Sequence, residues 1–282
     1  MPFEARHNIQ KCMNCSACLE FVACPGAHRE ICIGCGACTL ICPHEAIDLV
    51  EVTREKDVCI DVDGVLLSVP EMISVKEALG IIGYQVNDCL PAEEGLYAPC
   101  GVGACWNCAV HINGEVRQAC VTEAREGMKI RTDIPKQWVP LRIVGPSGGL
   151  PHGGVGTPWD VRKNAKSQYL EICCIVAGCN FRCPQCHNWM VTHMGQGRAY
   201  TPQEAAAMLT RMREKLQLNR FCLSGGEITL NRVWLVQLLK ELRTLNPYPE
   251  NHLHISTNGS LLTEDYIDEL IDAGLNDFGI DL

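Results

Sequence analysis

The chain has 282 residues, 20 of them Cys, and a formal net charge of -9. That length suits about two domains. The acidic balance without a basic stripe excludes a nucleic-acid binder, and no run of about 18 apolar residues is present to span a membrane. The N-terminus Met1–His7 lacks the apolar core of a signal peptide. The cysteines fall in tight C-x2-C groups, which suit metal centres and not long-range disulfides. Together these features point to a protein of a reducing cytoplasm.

Residues 1–56 are Cys-rich and poor in apolar runs, so metal must supply what a core cannot. Cys12, Cys15, Cys18 and Cys24 stand before Pro25, and Cys32, Cys35, Cys38 and Cys42 before Pro43. Residues 57–135 form a small mixed domain. Val58–Val69 is predicted as two strands around Asp63-Gly64, and Ala109–Cys120 as a second hairpin around Asn113-Gly114. Between them Ser74–Ile82 has helical spacing, with Ser74 as N-cap and Glu77 completing a capping-box pattern. Met128–Thr132 closes the domain as a short strand. Cys100, Cys105, Cys108 and Cys120 lie within it.

Residues 136–166 are a Gly/Pro-rich linker, densest over 145–158. A phosphate loop is the sharper reading there, but the required Lys-Ser/Thr ending is missing, which favours the linker. From 167 to 282 strands and helices alternate. Strands are predicted at Tyr169–Val176, Arg220–Ser224, His252–Ser256 and Asp277–Leu282. Helices are predicted from Thr201-Pro202 to Gln217, over Val233–Thr244 and over Thr263–Ala273, the last ended by Gly274. Such alternation argues a parallel sheet or barrel with all strand C-termini on one face. Cys179, Cys183 and Cys186 follow the first strand in C-x3-C-x2-C spacing.

The second N-terminal group follows the C-x2-C-x2-C-x3-C-P run of bacterial two-cluster ferredoxins, and the first differs by a longer final gap. This resemblance implies one 4Fe-4S cluster on Cys12, Cys15, Cys18 and Cys42, and a second on Cys32, Cys35, Cys38 and Cys24. A pair of structural zincs is the competing reading. Cys100, Cys105 and Cys108 fit the plant-type 2Fe-2S loop. The compact return to Cys120 resembles the 2Fe-2S domain of succinate dehydrogenase iron–sulfur subunits, which implies a β-grasp fold. Zinc is again the alternative.

"GCNFRCPQCHN" after a strand resembles the cluster loop of the radical S-adenosylmethionine (SAM) superfamily. There three thiolates hold a 4Fe-4S cluster and the methionine end of SAM takes the open iron. "SGGE", Ser224, Gly225, Gly226 and Glu227, resembles the family's Gly-Gly-Glu beside the methionine amino group. "STNG" at Ser256, Thr257, Asn258 and Gly259 resembles the Thr-Asn-Gly of glycyl-radical-enzyme activases, and Asp281 matches their Asp near the ribose. Gln185 stands where the family often has an aromatic residue. The expected fold class is multidomain α/β and α+β: a two-cluster 4Fe-4S ferredoxin module, a β-grasp 2Fe-2S domain and an incomplete (β/α)6 radical SAM partial barrel. Four strands of the family's six are present. The rest is expected from a longer polypeptide or from a second chain, the first being favoured.

The resemblance implies an enzyme that takes electrons from a low-potential donor through its ferredoxin clusters. It would cleave SAM to a 5′-deoxyadenosyl radical and act on an unidentified substrate, a protein glycine being one. The competing class is an electron-transfer subunit with a non-catalytic SAM-type domain. Among the remaining cysteines, Cys59, Cys89, Cys173, Cys174 and Cys222, core packing is expected. His187, His193, His252 and His254 show no ligand spacing, and His187 is expected partly exposed. Trp106 is expected to pack or to face a redox partner.

Overall fold

The computed structural model describes residues 2–24, 32–88, 91, 94–134, 137–145, 148–153 and 170–281. Cys89, most of the linker and the end of the last predicted strand lie outside them. The chain divides into two compact units, one of residues 1–139 with 178–196 and one of 140–177 with 197–282. The loop carrying Cys179, Cys183 and Cys186 therefore belongs to the unit of the N-terminal cysteines.

In the first unit, Phe3–His7 pairs antiparallel with Ile47–Glu51, closing the N-terminal module into a two-stranded ribbon. Two short helices, Ala17–Glu20 and Ala37–Ile41, each start after a left-handed residue, Ser16 and Gly36. Only a few apolar side chains, among them Val22, Ile33 and Ile41, are fully buried in this module. Residues 57–131 build a five-stranded sheet in the order Val65–Pro70, Asp57–Val62, Lys129–Arg131, Ala109–Ile112, Glu115–Gln118. Both predicted hairpins form. Asp63 and Gly64 both have positive φ, as do Asn113 and Gly114, the requirement of a tight two-residue turn whose twist suits the strands. The helix Val75–Ile81 covers a core that includes Ile60, Val69, Leu79, Val110 and Ile130.

Ser74 caps that helix, its Oγ accepting the Glu77 N–H at 3.1 Å. Only this half of the expected capping box forms. The Glu77 carboxyl is half-buried, and its Oε1 has no hydrogen-bond partner among the described residues. Burial pushes its pKa up to about 7, against the charges of Arg54 and Lys76. A carboxyl raised in the folded state binds more protons there than in the unfolded chain, so stability falls as pH rises through the interval between its ordinary value and about 7. Glu77→Gln is expected to raise the thermal midpoint at about pH 8, and most of the gain should be gone near pH 5. Circular dichroism melts at the two pH values check this.

In the second unit, four parallel strands run in chain order: Leu170–Val176, Arg220–Gly225, His252–Thr257 and Asp277–Ile280. Pro151–Gly153 adds an antiparallel edge to the first of them. Arg142–Ile143 pairs with Ala199–Tyr200. The stretch read as linker thus contributes two strands. Composition hides them, because strands of two and three residues are too short to leave an alternating pattern. The sheet is open among the described residues.

Three helices cover one face of the sheet. Pro202–Leu216 begins with a full capping box between Thr201 and Glu204 and has Pro at its start. Arg232–Leu245 is capped by Asn231, and Glu264–Asp272 follows Thr263. Period-two alternation sends Ile172, Cys174, Val176, Phe221, Leu223, Leu253 and Ile255 toward these helices, against Leu209, Trp234, Leu239 and Leu270. The alternate residues make the opposite face polar. There Arg220 pairs with Glu171 and Asp277, and both His252 and His254 bond Asp277.

Candidate metal centres and cofactor site

The N-terminal cysteines gather in two sets. Cys18 has its thiol pushed up by burial and by the neighbouring charges of Cys42, Cys15 and Cys12. Cys35 is raised above all by a hydrogen bond with Cys24. Cys38 is pushed up to about 12 by burial and then by Cys32 and Cys24, with Cys18 of the other set also near. Each set closes through a cysteine from the other half of the sequence, Cys42 and Cys24. A cavity of about 600 Å³ reaches Cys12, Cys18, Cys24, Cys32 and Cys38. Backbone N–H groups already point at sulfur: Ala5 donates to Cys32 Sγ and Ala46 to Cys42 Sγ, both at 3.3 Å. Gly34 is left-handed, and a Cβ there would sit 2.5 Å from the Phe3 carbonyl oxygen, so this close wrap requires glycine.

Arg54 was not singled out by sequence. Its guanidinium donates to the carbonyls of Cys32 at 2.7 Å, Phe3 at 3.1 Å and Met72 at 3.2 Å. It ties the N-terminal module to the sheet domain, and an isolated Arg between two motifs gives no pattern to find it by.

Cys100, Cys105, Cys108 and Cys120 are all buried, none more than 2% exposed. The Cys100 thiol is driven well below its usual range by hydrogen bonds from Cys105 and Cys120, with backbone N–H groups of Val102 and Cys105 adding to the effect. Cys105 and Cys120 are driven up in return. Four convergent thiols in a dry pocket, ringed by N–H donors, are a soft-metal donor set.

Residues 178–196 pack on this pocket. A Cβ on Gly178 would lie 3.2 Å from Cys100 Cβ and 3.4 Å from Cys105 Cβ. Arg182 donates to the Cys179 carbonyl at 2.8 Å and to the Cys100 carbonyl at 3.0 Å. The loop closes on itself through Gly178 N–H to the Thr192 carbonyl, 2.8 Å. Cys183 is exposed, while Cys179 and Cys186 are partly buried. A cavity of about 470 Å³ is lined by Cys42, Pro43, Arg182, Cys183, Cys186 and His193. His193 is pushed down to about 4 by burial and then by Arg182, so its imidazole is neutral near pH 7. His187 and Gln185 are exposed. Trp106 packs against Trp138, with ring centroids 6.3 Å apart.

In the second unit the remaining candidates sit where the parallel strands end. Ser224 and Gly225 finish the second strand, Ser256 and Thr257 the third, and Asp281 follows the fourth. Glu227 is 1% exposed. Its Oε1 accepts Thr229 N–H at 2.9 Å, Thr229 Oγ1 at 2.6 Å and Thr257 Oγ1 at 2.6 Å. Its Oε2 accepts Asn258 N–H at 2.7 Å. The carboxylate thus ties the "SGGE" turn to the "STNG" turn. Asn258 Oδ1 accepts from Ser260, fixing the second turn. Asp281 has its carboxyl raised by partial burial and then by the charge of Glu227.

Arg142 is another residue missed by sequence. It is fully buried and donates to the carbonyls of Ile228 at 2.8 Å, Ala177 at 3.3 Å and Glu227. Gly225 carries φ +131, and a Cβ there would overlap the backbone N and O of Val176 on the first strand. Gly226 N–H reaches the Val176 carbonyl at 2.7 Å. Gly225→Ala is expected to cost about 3 kcal/mol, because strain and overlap fall on backbone that cannot turn away. A lowered thermal midpoint in the variant checks this.

The described residues combine clustered thiol loops with an open parallel sheet whose strand-end turns are tied by Glu227. Residues 174–282 match the family model of the radical SAM superfamily, residues 55–135 that of a 2Fe-2S iron-sulfur cluster binding domain, and residues 28–48 that of a 4Fe-4S binding domain. The chain thus carries a radical SAM domain together with 2Fe-2S and 4Fe-4S binding domains. Among the described residues no helix is long and apolar enough to cross a membrane.

Proposed function

We propose that this chain is a radical SAM enzyme fed with single electrons through its own iron–sulfur domains. The observation that carries this is the packing of the Cys179–Cys186 loop on the Cys100 and Cys105 pocket. A thiolate loop that shares its backbone contacts with a second, fully buried thiol pocket is placed to exchange electrons with it.

Cys179, Cys183 and Cys186 would hold three irons of a 4Fe-4S cluster and leave the fourth open. Cys100, Cys105, Cys108 and Cys120 would hold a 2Fe-2S cluster. Cys12, Cys15, Cys18 and Cys42 would hold one further 4Fe-4S cluster, and Cys24, Cys32, Cys35 and Cys38 another. The chemistry the bound group supplies is one-electron reduction of the SAM sulfonium, giving methionine and a 5′-deoxyadenosyl radical that abstracts hydrogen from a substrate.

The chain's own residues shape the SAM site. Glu227, held by four hydrogen bonds, keeps two strand-end turns in place, so that Gly226, Asn258 and Asp281 offer polar groups to the amino acid and ribose. The N–H groups at Cys32, Cys42 and Cys179 stabilise reduced sulfur and so set potentials. The donor is an outside low-potential one-electron carrier. The substrate is a C–H compound or a protein glycine.

The test is anaerobic reduction of the reconstituted chain with dithionite and SAM. 5′-Deoxyadenosine and methionine in equal amounts are expected. Clusters that cycle between redox states while SAM stays intact would instead make the chain an electron carrier.

A further inference from the structure

The polar face of the parallel sheet holds a group of donors that none of the cluster motifs uses. Glu171, Cys173 and Cys222 are 0%, 4% and 2% exposed, and one ligand atom from each lies within 4.8 Å of the other two. The fold makes this meeting unavoidable. Cys173 and Cys222 are direct partners across neighbouring parallel strands, and Glu171 lies two residues before Cys173 on the same face. Cys174, one residue on, turns the other way into the apolar core, whereas Cys173 and Cys222 stay outside that core.

The carboxylate is divided between two tasks. Glu171 Oε2 accepts the Arg220 Nε–H at 2.9 Å. Oε1 is buried and accepts from no N–H or O–H donor among the described residues, while the Cys222 thiol is hydrogen-bonded to Cys173 and Glu171, so a carboxylate oxygen and both sulfurs meet. Arg220 also pairs with Asp277, which accepts from His252 and His254. The carboxylate is therefore braced from outside, as a metal-bound carboxylate is oriented by its hydrogen-bond partners.

We propose that Glu171, Cys173 and Cys222 form a binding site for one thiophilic divalent cation, zinc above all, separate from the iron–sulfur sites. Charge balance favours this cation. The Glu171–Arg220 pair is neutral as a unit, and two protonated thiols are neutral. A dication that displaces the two thiol protons, releasing them to solvent, leaves the buried charge unchanged, so no net charge is carried into the interior. Two thiolates select zinc over magnesium or calcium. Three protein ligands leave one position open, the pattern of a site that accepts an exogenous ligand and not of a closed structural site. This site stands independently of SAM cleavage.

The test uses the full chain, reconstituted anaerobically with iron and sulfide, incubated with zinc sulfate and desalted. Mass spectrometry of metals is expected to find about one zinc per chain. Cys173→Ser and Cys222→Ser should each lose that zinc while iron and sulfide stay at the wild-type level. Zinc-edge X-ray absorption of the unsubstituted chain needs no variant and should show two sulfurs at about 2.3 Å with oxygen completing the shell. Zinc absent from the wild type, zinc retained in full by both variants, or an all-sulfur shell with iron lost in proportion would each overturn the proposal.

Discussion

Cys186→Ser is expected to reduce 5′-deoxyadenosine formation to the no-enzyme background while about four irons per chain are lost. Serine is a harder and far more basic donor than a thiol, and a site left with two thiolates no longer secures a cubane of soft character. The fold should survive, because Cys186 is only partly buried and its Sγ makes a weak contact with Thr192 Oγ1, at 3.7 Å. The 2Fe-2S pocket should survive too, since none of its four buried thiols is altered. The measurement is twofold: nucleoside release by chromatography, and the reduced 2Fe-2S signal by electron paramagnetic resonance. Loss of the first with retention of the second places the chemistry on the Cys179–Cys186 loop. Retention of both would remove that loop from catalysis. The matching substitution in the other pocket, Cys105→Ser, should reverse the pattern: the 2Fe-2S signal disappears, and nucleoside release slows without stopping if dithionite can reduce the remaining clusters directly.

The gathering of the cysteine groups was legible in the sequence because bringing thiols around one centre is partly a local problem. Spacings of two to five residues fit one metal centre, and glycine and proline mark the turns. That Cys42 lies by Cys18 and Cys24 by Cys35 is contained in no local spacing, and only the family resemblance led to it. The hairpin turns at Asp63 and Asn113 and the capping box at Thr201 were legible for the same local reason. What stayed hidden depends on contacts between residues far apart in the chain. Arg142 lies in a stretch that composition assigns to a linker, yet its buried guanidinium reaches carbonyls at Ala177 and Ile228. Cys173 and Cys174 look alike within one apolar run. A pleated strand sends them to opposite faces, one into the core and one toward Glu171, and the run alone does not say which. Gly225 belongs to the "SGGE" stretch, whose resemblance implies a place beside the SAM amino group. Its tightest neighbour is the backbone of Val176, so the same residue serves the sheet itself.

Glu227 separates two roles that the motif alone merges. If its carboxylate served only to attract the SAM ammonium, Glu227→Gln would raise the KM for SAM and leave stability untouched. The hydrogen bonds argue for a different result. Three donors converge on Oε1 and one on Oε2, in a site 1% exposed. A glutamine can keep its carbonyl toward Thr229 and Thr257, but its amide then turns a donor toward the Asn258 N–H. One charge-assisted bond is lost and a largely enclosed N–H is left facing another donor, at a cost of about 2–3 kcal/mol. That corresponds to a fall in thermal midpoint of roughly 4–10 °C for a unit of this size. Glu227→Ala should fall further, since four donors then lose their acceptor at once. In both variants the Thr257–Asn258 turn is released from the "SGGE" turn, so SAM cleavage should drop in kcat as well as in apparent affinity, by at least about tenfold. Melting curves and SAM titrations on the same preparations decide the matter. A Glu227→Gln protein that melts with the wild type, and differs only in KM, would return the carboxylate to the ligand and take it away from the scaffold.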